Sequence, residues 1–163
     1  ENEKLYFCTA RGKDFYRQII KNGQVAITGM NQEFQMVRLN GQAEKLEEHR
    51  KWIDRIFEEN PSMNAVYPGE SRYVLEAFCI DNGSIEFFDL GKEPIVRESF
   101  SLGNTRTKES GFLITDDCIH CGKCECICPQ KCITDYKINQ RHCLHCGLCA
   151  EECPVRAIVK RGE

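Results

Sequence analysis

Apolar residues in the first ninety positions recur with two periods, one of two residues and one near 3.6. Residues 5–9, LYFCT, predict a short strand, and residues 13–21 a helix that Asn22 and Gly23 close. A second strand is expected at 25–30, and a third, long and alternating, at 34–43, with Gly41 as a bend or bulge. The helical period returns at 47–59, where Trp52, Ile53, Ile56 and Phe57 share one face and Asn60-Pro61 stops the run. That face reads as core rather than as a cofactor surface. Residues 73–80 and 85–90 predict two more strands, joined by Asp81-Asn82-Gly83-Ser84 as a hairpin turn. The order is strand, helix, strand, strand, helix, strand, strand, which is mainly β with helices.

Residues 91–110 are polar, rich in turn formers and without a period, so they read as connecting chain. Beyond them Phe112-Leu113-Ile114 opens a second module, and Ala157-Ile158-Val159 is expected to pair near it as a closing strand. The chain therefore divides into a domain at 1–100, a linker at 101–111 and a small α+β domain at 112–163. Cysteine usage follows the same division, with ten of the twelve cysteines after Ser110.

Eight of those cysteines fall into two copies of one spacing: Cys118, Cys121, Cys124 and Cys128 before Pro129, then Cys143, Cys146, Cys149 and Cys153 before Pro154. The 25-residue offset also pairs His120 with His145, Gly122 with Gly147 and Ile133 with Ile158. Gaps of two residues wrap a tight turn and bring three thiolates onto one small inorganic core, while the fourth cannot reach back. Zinc commonly closes a site with two close ligand pairs separated by a longer loop, and a disulfide framework suits a secreted chain with an apolar leader. Neither describes this pattern, and no apolar signal segment is present in the sequence.

The spacing resembles that of bacterial two-cluster ferredoxins, in which the cysteine before proline ligates the other cluster. By that resemblance Cys118, Cys121, Cys124 and Cys153 hold one [4Fe-4S] centre and Cys143, Cys146, Cys149 and Cys128 the second. Such a module has few large apolar groups and is expected to be unfolded without metal. Cys132 takes the repeat position of Ala157 and reads as a small buried residue. Cys126 fits neither copy and reads as a non-ligand, and Cys8 and Cys79 as packed thiols on strands.

The formal charge is −3, but eight ligating thiolates and two oxidised cores bring the loaded protein to about −7. Nucleic acid is not expected as a partner on that ground. No apolar run approaches a membrane span, so no membrane association is expected. Reduced thiolates and oxygen-sensitive clusters point to a reducing cytoplasm, and to anaerobic metabolism.

The segments LYFCTARGKDFYRQIIKNGQVAITGM, QMVRLNGQAE and ENPSMNAVY resemble the pyridoxamine 5'-phosphate oxidase-like family of FMN-binding split β-barrels, in its nitroimidazole-reductase-like branch. The resemblance covers residues 3–100. A strand ending at Thr9, a turn with Arg11 and Gly12 and a helix opening at Lys13 would surround one phosphate with a hydroxyl, cations and free N–H groups. The family match assigns Thr9 and Lys13 to the FMN phosphate, with Arg11 beside them, and Gln35 to the flavin ring. Family members carry a helix and a strand hairpin ahead of the LYFCT match, so this barrel is expected to lack its first strands. Five strands are counted where six or more are needed, and the open edges predict a homodimer.

FMN accepts electrons singly or in pairs, whereas the clusters move them one at a time. The combination implies a flavin-dependent reductase that exchanges electrons with a soluble redox protein and a small organic acceptor. The alternative is a non-enzymatic carrier whose barrel serves for docking or dimerisation. A redox sensor would need an effector element, and none is evident. No residue stands out as catalytic: His120 and His145 read as exposed or supporting the ligands, His49 and His142 as surface residues.

Overall fold

A computed structural model describes residues 4–106 and 109–162. Strand β1, Leu5–Ala10, leads through a turn into helix α1, Asp14–Asn22. Lys13 is extended ahead of the helix, and Gly23, at φ 68°, stops it by donating its N–H to the Ile19 carbonyl at 2.7 Å. Only a residue free of Cβ strain closes a helix in this way at little cost, so the Asn22-Gly23 signal is met. Strands β2, Gln24–Met30, and β3, Gln35–Lys45, follow.

Helix α2, His49–Glu59, buries the stripe that its periodicity predicts. Ile53 and Phe57 are inaccessible and pack with Leu75 and Ala77, while Trp52 and Ile56 are partly covered beside them. Pro61 cannot continue the helix and opens a 3-10 turn at Pro61–Ala65; a second at Gly69–Val74 feeds strand β4, Leu75–Asp89. Strand β5, Val96–Leu102, completes the sheet. The five strands run in the order β1-β4-β3-β2, with β5 also on β4, as a half-barrel sheet. β1 lies antiparallel to β4 in a register that sets Leu5 opposite Ile80 and Thr9 opposite Glu76.

Two expectations are corrected here. Asp81-Asn82-Gly83-Ser84 makes no hairpin, because β4 runs through it as one strand of 15 residues. The favoured two-residue turn needs positive φ at its centre, and neither Asn82 nor Gly83 has it. Gly83 instead allows a close approach of β3: a Cβ there would stand 2.6 Å from the Asn40 carbonyl oxygen, and one on Gly41 would stand 2.7 Å from that of Asn82. Gly41 is thus needed for contact rather than for a bend. Asn82 uses its side-chain oxygen to accept the N–H of Asn104, just past β5. The second correction is β5 itself, which lies inside the stretch read as irregular; its partial alternation, Val96, Phe100 and Leu102 on one face with Glu98 between them, becomes a strand once β4 offers an edge.

The chain forms two compact units. One holds the residues up to Ile27, Leu39–Ser84 and Ser101–Thr105; the other holds Thr28–Arg38, Ile85–Phe100 and the residues from Arg106 on. In the second unit β6, Phe112–Ile114, pairs antiparallel with β9, Ile158–Lys160, as the sequence predicts. Between them lie α3, Lys123–Ile127, the short pair β7, Ile133–Thr134, and β8, Lys137–Ile138, and α4, Leu148–Glu151. The buried centre of this segment is Cys132, Ile133, Cys143, Cys149 and Ile158, so thiols supply much of what would otherwise be hydrocarbon. No helix among the described residues is long and apolar enough to cross a membrane.

Candidate metal centres

The 25-residue repeat is written into the backbone. His120 and His145 take φ of 55° and 56°, Gly122 and Gly147 of 73° and 85°, and Lys131 and Arg156 of 49° and 56°. Left-handed residues at matching places curl each loop inward, so that the N–H of His120 points to the Cys118 sulfur and that of His145 to the Cys143 sulfur, both at 3.4 Å. The Ala157 N–H reaches the Cys153 sulfur at 3.3 Å. Such donors stabilise negative charge on sulfur. Lys123 and Glu152 form an ion pair at 2.6 Å that ties the start of α3 to the end of α4.

Two cavities lie between these loops. Cys118, Cys121, Cys124 and Cys153 line one, with Ile114, Tyr136 and Ile158 among the walls. Cys128, Cys143, Cys146 and Cys149 line the other, together with Cys132, Phe112 and Ile133. In each, three thiols come from one copy of the repeat and the fourth, the cysteine before proline, from the other. Four soft donors in an apolar wall with N–H groups turned to sulfur fit an iron–sulfur cube. Burial, with Cys143 alongside, pushes the Cys149 thiol up to about 11, and burial raises that of Cys124 as well. Ligation must release those protons, so loading is expected to be pH-dependent. Burial, then Arg97 and Arg161, lowers His145 to about 4.

Cys126 is exposed and lines neither cavity. Cys8 on β1 is half-buried and Cys79 on β4 is buried, both with thiols raised by burial. His120 is exposed and lies against Tyr136, whose hydroxyl donates to the His120 carbonyl. His49 and His142 are not surface residues, and the expectation is corrected: both are half-buried, with ring nitrogens 2.6 Å from the Leu75 carbonyl and 2.7 Å from the Ile95 carbonyl. Main-chain partners of this kind have no signature in the sequence.

The candidate flavin residues divide between the units, Thr9, Arg11 and Lys13 in one and Gln35 in the other. Thr9 is buried, Lys13 is exposed at the start of α1, and the space beside Gly12 is open. Arg11 pairs with Glu76 at 3.1 Å. The Gln35 amide donates to Asp89 and accepts from Asn31. Glu76 escaped the sequence reading although it interrupts an otherwise apolar run, LEAFCI, all of which is buried. Burial alone would raise its carboxyl, but Arg11, Lys45 and His49 outweigh that and hold it below its ordinary 4.5. Its stabilisation is complete above that value and is lost as the pH falls through the lowered one. Glu76→Gln should therefore cost about 1–2 kcal/mol at pH 7, read from urea midpoints, and much less at pH 3.

Residues 136–159 match the 4Fe-4S binding domain family. Among solved structures, a NimC/NimA family protein from Clostridium acetobutylicum is 27% identical over 61% of this chain and 66% of its own, with a TM-score of 0.50. The chain thus spans just under two thirds of that protein's length. A search of curated proteins gives no match. The chain joins a mainly β fold similar to that of the NimC/NimA family protein to a 4Fe-4S binding segment of the ferredoxin kind.

Proposed function

We propose that the protein is a flavo-iron-sulfur electron-transfer protein, a flavin-dependent reductase that links two [4Fe-4S] clusters and FMN to a small organic acceptor. The observation that carries this reading is the division of eight thiols into two sets of four, each completed from the opposite copy of the repeat. Cys118, Cys121, Cys124 and Cys153 would hold one cluster, and Cys143, Cys146, Cys149 and Cys128 the second. The clusters supply one-electron steps, and FMN joins these to a two-electron reduction. Thr9, Lys13 and the start of α1 would bind the flavin phosphate, a role supported by the open space at Gly12. A soluble redox protein in the cytoplasm is the proposed partner at the clusters, and a homodimer the proposed assembly.

A second reading has its own support. Arg11 already pairs with Glu76, and Gln35 with Asn31 and Asp89, so two of the four flavin candidates have partners within the protein. That favours a cluster-bearing carrier whose β domain is a docking or dimerisation platform. Anaerobic reconstitution with iron, sulfide and FMN decides between the two. The reductase reading expects retained FMN and stopped-flow electron exchange with the clusters at a rate independent of protein concentration. Failure to retain FMN, with the clusters present, replaces it by the carrier. Sedimentation of the loaded protein as a monomer at micromolar concentration would remove the dimer.

A further inference from the structure

The two cavities are not equivalent. The one lined by Cys128, Cys143, Cys146 and Cys149 has a fifth thiol in its wall, that of Cys132, whereas its counterpart in the repeat, Ala157, has no polar side chain and brings only its main-chain N–H, to the Cys153 sulfur. Cys132 is 7% exposed, and its sulfur lies 3.5 Å from that of Cys128. The same thiol lies in the buried centre with Cys143.

We propose that Cys132 donates its S–H to the sulfur of Cys128 and thereby raises the reduction potential of the second cluster. This rests on the reading of Cys128 as a cluster ligand. A ligating Cys128 carries no proton and can only accept, so of the pair Cys132 is the donor. Reduction adds an electron whose charge spreads onto the ligating sulfurs, so a donor to one of them stabilises the reduced form more than the oxidised form. The potential rises accordingly. Backbone donors serve both halves of the repeat, and the Cys132 thiol is a side-chain donor that serves one.

Cys132 acts through Cys128 and is a positioning residue, so its test reads potential rather than activity. Wild-type, Cys132→Ala and Cys132→Ser proteins are loaded anaerobically and titrated under electron paramagnetic resonance. About eight irons per chain and two distinct potentials are expected in the wild type. Cys132→Ala should lower one of the two potentials, leaving the other potential and the iron count unchanged, and Cys132→Ser, whose hydroxyl can donate, should restore it. Unchanged potentials in both variants, or an equal shift of both clusters, overturn the proposal. Loss of about four irons in Cys132→Ala also overturns it, since Cys132 would then be a ligand. A wild type with about four irons would overturn the two-cluster reading itself, before any variant is compared.

Discussion

Cys153→Ala is expected to lose the cluster proposed for the cavity whose other three thiols lie about thirty residues earlier in the chain, at Cys118, Cys121 and Cys124. Iron and acid-labile sulfide should fall from about eight to about four per chain, and one of the two cluster signals should vanish. The physical reason is that Cys153 lines the cavity of the first copy while its sequence neighbours Cys146 and Cys149 line the other. Cys153 makes a cleaner test than Cys128, because no further thiol stands in its cavity, whereas Cys132 stands beside Cys128. Cys126→Ala is the control and should keep all the iron. Full iron in Cys153→Ala, or loss in Cys126→Ala, would overturn the ligand assignment.

Lys13→Ala should weaken FMN by roughly ten- to a hundredfold and riboflavin hardly at all, the loss of one charge-assisted contact to phosphate. Lys13 lies exposed where α1 begins, so its removal costs the fold little. The comparison with riboflavin separates a phosphate contact from a general weakening of the ring site. Equal loss of both ligands would assign Lys13 no phosphate role. Asp14 in the first turn pairs with Arg17, and that pairing tempers the repulsion which an acidic residue would otherwise exert on phosphate at this place.

The parts of the fold that could be read from sequence are those whose causes are local. Gly23 stops α1 through its own φ, the α2 stripe buries its own face, and the cysteine spacing winds its own loops. The hairpin at residues 81–84 failed for the opposite reason. Its residues suit a turn, but Gly83 lies against the Asn40 carbonyl, forty residues away, and a close approach of two strands outweighed a local preference. β5 was hidden in the same manner, since its alternation is too short to declare itself before β4 is in place. At the flavin candidates the residue types were legible but their commitments were not: Arg11 faces a buried Glu76, and only the register that sets Thr9 opposite Glu76 brings that carboxylate near.

The proposed sharing of the fourth ligand between the copies also has a bearing on biosynthesis. As the chain leaves the ribosome, Cys118, Cys121 and Cys124 emerge well before Cys153, so the first cavity stays one ligand short until the second copy has been made. The second set is complete only once Cys149 has emerged, so the first copy alone can close neither site and both would close near the end of synthesis. Nascent chains arrested before Cys149 should capture no complete cube, and those arrested between Cys149 and Cys153 only the second, a result readable by iron counting on stalled complexes. Duplication of an ancestral half would have carried the same obligation from the start: once the ligands are exchanged, neither copy can be lost without disabling both.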